Sequence, residues 1–201
     1  LVMDYLNYKK DKDVVTYAIN DLSNTNIWNL IQKNINNNLK LESGKVGGED
    51  KKDDEPTRKS EICWINDSNL SMELFNAINI CNNENWSYDL DGCDGLQYGT
   101  YFGGGYYDWH VDVEQKVKFM DGKYLARKLS MTIWLNDPDE YEGGEFDIEI
   151  RGPRMDVRYD TFKLKKGSIV IFPSDKWHRV RPVTSGVRKS LVTWFRGPPL
   201  R

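Results

Sequence analysis

The chain has 201 residues, enough for one domain with a substantial buried core, and its formal net charge of -3 argues against a general polyanion binder. Three widely spaced cysteines, Cys63, Cys81 and Cys93, form no CxxC pair, which excludes a zinc cluster or disulfide framework as the organising device and suits a reducing compartment. No apolar run approaches the ~20 residues of a membrane span and no signal-peptide core is evident, so the expectation is a cytoplasmic protein with no membrane association.

Residues 1–12 read as a polar lead-in, and the run Val14-Val15-Thr16-Tyr17-Ala18-Ile19 as a strand. Asp21, Ser23 and Asn24 offer N-caps for a helix over about 24–37, in which Ile27, Leu30, Ile31 and Ile35 form one apolar stripe. Residues 40–57, with Gly44, Gly47, Gly48 and a charged run from Glu49 to Glu55, predict a flexible solvated loop, with a substrate lid as the alternative. A strand is expected over 60–65 and a second helix over 70–82, with Leu70, Leu74, Ile78 and Cys81 on one stripe. From Trp86 onward short β-rich runs alternate with turn residues, at 96–102, 109–113, 128–136, 145–151, 160–165, 168–173 and 189–196.

Helices first and strands after predict an α+β fold: a double-stranded β-helix (jelly roll) buttressed by two or more amino-terminal helices. The whole chain, 1–201, is expected to be one domain, with the buttress over about 14–85 and the jelly-roll core over about 86–199. Strand parity refines this. Leu129, Met131, Ile133 and Leu135 alternate with Ser130, Thr132 and Trp134. The apolar set should pack on the helices and the other set should face the barrel interior. By the same count Arg188, Ser190, Val192 and Trp194 share a face.

The chain holds only two histidines, His110 and His178. His110 sits in Trp109-His110-Val111-Asp112, and on a strand positions i and i+2 point the same way, so His110 and Asp112 can grip one ion. His178 follows the strand-like run ending at Phe172. Two imidazoles and one carboxylate are the donor set of the facial triad of non-haem Fe(II) oxygenases, which leaves half of an octahedron open. Ten residues after His178 stands Arg188, whose fork suits bidentate capture of a carboxylate. Gly103–Gly105 lacks the Lys-Ser/Thr ending of a phosphate loop.

Several stretches together resemble the prolyl 4-hydroxylase-like 2-oxoglutarate- and Fe(II)-dependent dioxygenases. They are Tyr101-Phe102-Gly103-Gly104-Gly105-Tyr106-Tyr107-Asp108-Trp109-His110-Val111-Asp112, the turn Leu135-Asn136-Asp137-Pro138 with Tyr141-Glu142-Gly143-Gly144-Glu145-Phe146, and Phe172-Pro173-Ser174 with His178 and Gly186-Val187-Arg188. The likeness covers about the last 110 residues closely. It implies His110, Asp112 and His178 as iron ligands and catalytic centre. It implies Arg188, Tyr101 and Ser130 at 2-oxoglutarate, with Arg188 and Ser130 on the far carboxylate. Tyr107, Trp194 and Trp134 would belong to the substrate pocket, the two tryptophans as walls. Arg179, Arg181 and Arg196 read as solvent-facing.

The implied cofactors are Fe(II), 2-oxoglutarate and dioxygen as cosubstrates, and ascorbate as an accessory. The implied reaction couples oxidative decarboxylation of 2-oxoglutarate to hydroxylation of an unactivated C–H bond. The leading expectation for the substrate is a protein or peptide side chain, prolyl first. One alternative is a free amino acid or other small molecule. Another, from a different class, is a non-catalytic sensor that binds metal or 2-oxoglutarate, which the intact triad and clamp disfavour. Nucleic-acid demethylation ranks below these, given the acidic balance. The oligomeric state is not legible.

Overall fold

The structure is a computed structural model that describes residues 17–19, 22–37, 39–44, 57–113, 117–118, 122, 124–150 and 158–199. The first half contributes β1 (Tyr17–Ile19), α1 (Asn26–Ile35), β2 (Glu42–Ser43), β3 (Arg58–Lys59), β4 (Glu61–Ile65), α2 (Ser68–Asn85) and β5 (Gly92–Phe102). The second half contributes β6 (Tyr106–His110), β7 (Val117–Lys118), β8 (Tyr124–Trp134), β9 (Tyr141–Gly143), β10 (Phe146–Glu149), β11 (Tyr159–Phe162), β12 (Ile169–Pro173), β13 (His178–Val180) and β14 (Val183–Gly197). Most of the charged stretch expected to form a loop or lid, residues 45–56, lies outside the described residues, as do 1–16 and the cap candidate Asp21.

Local chemistry sets both helix starts. The first helix begins two residues later than the sequence suggests, because Thr25 is the cap: its Oγ1 accepts from the Trp28 amide at 3.2 Å and donates to the Leu22 carbonyl at 2.8 Å. Asp67 caps α2 by accepting from the Leu70 amide at 3.0 Å, and it also accepts from Asn34 Nδ2 at 2.8 Å, which ties the two helices together. The apolar stripes then decide which way the helices face. Ile27, Ile31, Leu70, Leu74, Ile78 and Cys81 are all buried, and Leu30 and Ile35 pack at the margin of the same cluster.

All strand pairing is antiparallel. A large sheet runs in the order β1-β12-β8-β14-β5-β4-β2, with β7 added to β8 and β9 to β14. A smaller sheet runs β11-β10-β13-β6-β3 and faces it. The parity expectation holds. Leu129, Met131, Ile133 and Leu135 join the helices, Leu191 and Phe195 in one apolar cluster. Trp134 joins Tyr101, Tyr141, Phe146, Ile148, Val170, Phe172, Val180 and Val183 in a second cluster between the sheets. The double-stranded β-helix therefore has one core outside its large sheet, under the helices, and another inside it.

Two irregularities matter for the site. The strand expected over 109–113 ends at His110, because the amides of Asp112 and Val113 both turn to the Ser174 carbonyl, at 2.9 and 3.0 Å. The β8–β14 ladder also slips between Phe195, opposite Leu129, and Arg196, opposite Arg127. Such a bulge moves the residues beyond it to the other face.

Candidate metal centre

His110 closes β6 and His178 opens β13, and the two are direct cross-strand partners. Their ring centroids stand 4.1 Å apart. Asp112 reaches the same point from just past the end of β6, so i and i+2 converge through the turn and not, as the sequence suggested, along one strand. Its Oδ1 lies 3.8 Å from His110 Nε2 and its Oδ2 lies 3.4 Å from His178 Nε2. One donor atom from each of the three residues falls within 4.8 Å of the others. These three are the metal-capable cluster among the described residues.

The donors are held by their other atoms. His110 Nδ1 lies 2.7 Å from the Asp108 carbonyl and His178 Nδ1 lies 2.9 Å from the Lys176 carbonyl, each two residues upstream. A carbonyl can only accept, so each Nδ1 carries the proton and each Nε2 presents its lone pair to the common centre. Burial, with the neighbouring His178, pushes His110 down to about 3, which keeps its imidazole neutral. For Asp112 burial acts upward, but its polar neighbours outweigh it, the hydrogen bond donated by Ser130 among them, and hold its carboxyl well below the usual carboxylate range. Neutral imidazoles and an ionised carboxylate are the forms in which these side chains bind a divalent cation.

Ser130 was expected beside the far carboxylate of the cosubstrate. Here its hydroxyl donates to Asp112 Oδ2 at 2.7 Å and takes a hydrogen bond from Ser174 Oγ at 2.9 Å. Thr132, next on that face, borders the cavity instead. Tyr107 stacks flat on His110, with centroids 3.5 Å apart and planes 11° apart. Phe172 and Phe146 enclose His178, at 4.8 and 5.6 Å.

A cavity of about 380 Å³ opens beside this cluster. All four residues that parity placed on one face of β14 border it: Arg188, Ser190, Val192 and Trp194. Arg188 is 1% exposed. Its Nη1 donates to Ser190 Oγ at 3.1 Å, while Nε and Nη2 are buried and make no hydrogen bond. The guanidinium lies between the rings of Tyr101, its cross-strand partner, at 5.4 Å and Trp134 at 5.5 Å. No carboxylate among the described residues pairs with it, and burial lowers its affinity for its proton. A buried cation with uncommitted donors beside a cavity calls for an anion. The donor set and this cation together fit an iron ion and a dicarboxylate. Trp134, expected as a pocket wall, is fully buried and packs against Arg188 and, edge-on, Phe146.

Sequence reasoning missed several cavity residues, among them Arg58, Trp64, Gln97 and Arg127. Arg127 reaches the cavity side through the β8 bulge, where its guanidinium stacks 4.0 Å over Trp194 and its Nε meets Asp94 Oδ2 at 2.8 Å. Arg58 arrives on β3, opposite Tyr107. Arg179 and Arg181 are not simply solvent-facing: both donate to the buried Asp147, at 2.7 and 2.8 Å.

A sequence profile of the 2OG-Fe(II) oxygenase superfamily matches residues 96–196, the stretch that carries the three candidate ligands and Arg188. A PKHD-type hydroxylase of Stenotrophomonas maltophilia (strain R551-3) is 38% identical over 100 residues, 50% of this chain and 42% of that protein. One from Colwellia psychrerythraea is 41% identical over 93 residues, 46% of this chain and 38% of that protein. The chain thus spans well under two thirds of the length of these relatives. Among solved structures, the viral collagen prolyl hydroxylase of Paramecium Bursaria Chlorella virus-1 superposes with a TM-score of 0.61 at 21% identity, covering 90% of this chain and 96% of that one. A prolyl hydroxylase of Trichoplax adhaerens, solved with a hypoxia inducible factor peptide, superposes with a TM-score of 0.62 at 18% identity, covering 90% and 82%. These two likenesses concern the fold, the double-stranded β-helix described above. The profile match, which covers half the sequence, makes the chain a member of the 2OG-Fe(II) oxygenase superfamily.

Proposed function

We propose that this protein is a 2-oxoglutarate- and Fe(II)-dependent hydroxylase acting on a side chain of a protein or peptide, with prolyl as the first candidate, and that its helices and jelly roll work as one domain. Iron(II) and 2-oxoglutarate, when bound, supply with dioxygen the oxidising power that places a hydroxyl on an unactivated C–H bond. The chain's own residues orient and shield. His110, Asp112 and His178 would hold the metal on one side only and leave the cavity side free for exchangeable ligands. The paired backbone carbonyls at Asp108 and Lys176 fix both rings in the metal-binding tautomer before any ion arrives. Arg188 would grip the far carboxylate of the cosubstrate, with Ser190 steadying the fork and Tyr101 walling it. The apolar ring of Phe146, Phe172 and Val180 keeps water from the reacting end.

The observation that carries this reading is Arg188: a buried guanidinium with unused donors, bordering the same cavity as the three ligand atoms. A peptide substrate is supported by the cavity's margin, where Trp64 is 54% exposed and meets Trp194 at 6.0 Å, an aromatic shelf open to solvent. Among the described residues no helix is long and apolar enough to cross a membrane. The test is anaerobic titration of the Fe(II) protein with 2-oxoglutarate, followed by a peptide and amino-acid screen. A visible charge-transfer band that substrate perturbs, and a product heavier by one oxygen atom after air is admitted, are expected. Absence of any band at millimolar cosubstrate would defeat the proposal.

A further inference from the structure

Three arginines border the cavity, and they differ in what neutralises them. Arg127 has Asp94 at 2.8 Å. Arg188 would face the cosubstrate under the reading above. Arg58 has neither: its Nε donates to Ser60 Oγ at 2.6 Å and its Nη2 to Gln97 Oε1 at 2.9 Å, both neutral oxygens. No carboxylate among the described residues pairs with it.

Arg58 is nonetheless held in place. Ser60 and Gln97 are both buried, and the guanidinium lies 4.8 Å over the ring of Tyr107, its cross-strand partner. The Tyr107 ring in turn lies flat on His110. A single aromatic layer therefore separates this cation from the metal-ligand cluster. The Nη1 donors and one Nη2 donor stay uncommitted, the fork that suits a carboxylate.

The charges point the same way. With iron(II) on two neutral imidazoles and the Asp112 carboxylate, and a dianionic cosubstrate against Arg188, the inner site sums to zero. Arg127 shares the Asp94 carboxylate with Arg196, at 2.8 and 3.4 Å. Of the three cavity arginines, Arg58 is the one that faces neither a carboxylate among the described residues nor the cosubstrate.

We infer that Arg58 reads the substrate, by receiving a carboxylate carried by the molecule to be hydroxylated. The inference rests on the oxygenase reading and narrows its substrate class to compounds with an anionic group near the target carbon. Two sources share this chemistry: an acidic side chain next to the target residue, or a free chain-terminal carboxylate, as in a short peptide or an amino acid.

The test uses the full chain loaded with Mn(II) and 2-oxoglutarate, so that binding is read without turnover. Four probes are titrated against tryptophan fluorescence, since Trp64 and Trp194 border the cavity. They are acetyl-Ala-Pro-Ala-amide, the same peptide with a free carboxylate, acetyl-Ala-Pro-Glu-amide, and L-proline. At least one carboxylate probe should bind about tenfold or more tightly than the neutral amide. Arg58→Gln should erase that preference, Arg58→Lys should keep part of it, and both, folded by circular dichroism, should leave 2-oxoglutarate affinity close to wild type. Which carboxylate probe gains identifies the source.

Equal binding of the neutral and acidic probes would overturn the inference, as would failure of all four to bind a protein that does bind 2-oxoglutarate. Loss of 2-oxoglutarate affinity in Arg58→Gln would also overturn it, by assigning the residue to the cosubstrate. A wild-type protein that binds no 2-oxoglutarate would defeat instead the function on which the inference stands.

Discussion

On the helix side of β8, Leu129, Met131 and Ile133 share an apolar cluster with Leu70, Leu74 and Ile78. On the other side of the same strand Ser130 hydrogen-bonds Asp112, Thr132 borders the cavity and Trp134 backs Arg188. The first set is interchangeable chemistry, held by volume and the exclusion of water. The second is specific, since Ser130 must meet Asp112 and Ser174 while Trp134 must leave room for the Arg188 guanidinium. Stability and the proposed chemistry are thus divided by residue parity, and substitutions on the two faces should fail in different ways.

The sharpest break should come at the metal. His178→Ala removes one of three proposed ligands, and iron affinity should fall by at least ~100-fold with turnover lost, measured by equilibrium dialysis and succinate release. Retention of iron by this variant would show that the ligand set is wrong. On the opposite face, Leu74→Ala should cost about 2–5 kcal/mol of folding free energy by denaturant unfolding, while the folded fraction binds 2-oxoglutarate as before. Arg188→Ala should do the reverse: cosubstrate affinity should weaken by about 2–4 kcal/mol, with little loss of stability because a buried charge leaves with the side chain. Unchanged affinity for 2-oxoglutarate in that variant would end the clamp assignment.

The smallest effect concerns the outer side of the small sheet. Burial acts to raise Asp147, but hydrogen bonds from Arg181, Thr161 and Arg179 hold it below the usual carboxylate range. Its folded value is depressed, so its stabilisation is full above the unfolded value near ~3.9 and is lost as pH falls through the folded value. Asp147→Asn should therefore be destabilised by about 1–3 kcal/mol at neutral pH, and its deficit against wild type should shrink in acid below about pH 4. A constant deficit from pH 7 to 3 would remove this pair of arginines from the account.

Much of the fold was readable because its signals are periodic. The stripe Leu70, Leu74, Ile78 and Cys81 and the alternation from Leu129 to Leu135 each repeat often enough to declare a face. The donor set His110, Asp112 and His178 was readable because few residue types bind metal and the chain has two histidines in all. What escaped depends on breaks in periodicity or on distant partners. The β8 bulge carries Arg127 to the cavity side against the simple count. Arg58 lies on a two-residue strand whose role depends on pairing with Tyr107. The hydroxyl of Ser130 has as its partner a carboxylate 18 positions away, and nothing in its own neighbourhood announces it.

Arg188 has a bearing on how long the protein survives as well as on how it works. A guanidinium sealed in the interior with idle donors is a standing liability to the native state, and any dicarboxylate that settles against it relieves that liability only in the folded molecule. By mass action, free ligand at a hundred times its dissociation constant adds about 2.7 kcal/mol to the folded state. The resistance of this chain to heat and proteases would then track the supply of that dicarboxylate, so that the population of intact molecules would rise and fall with the compound proposed as their cosubstrate.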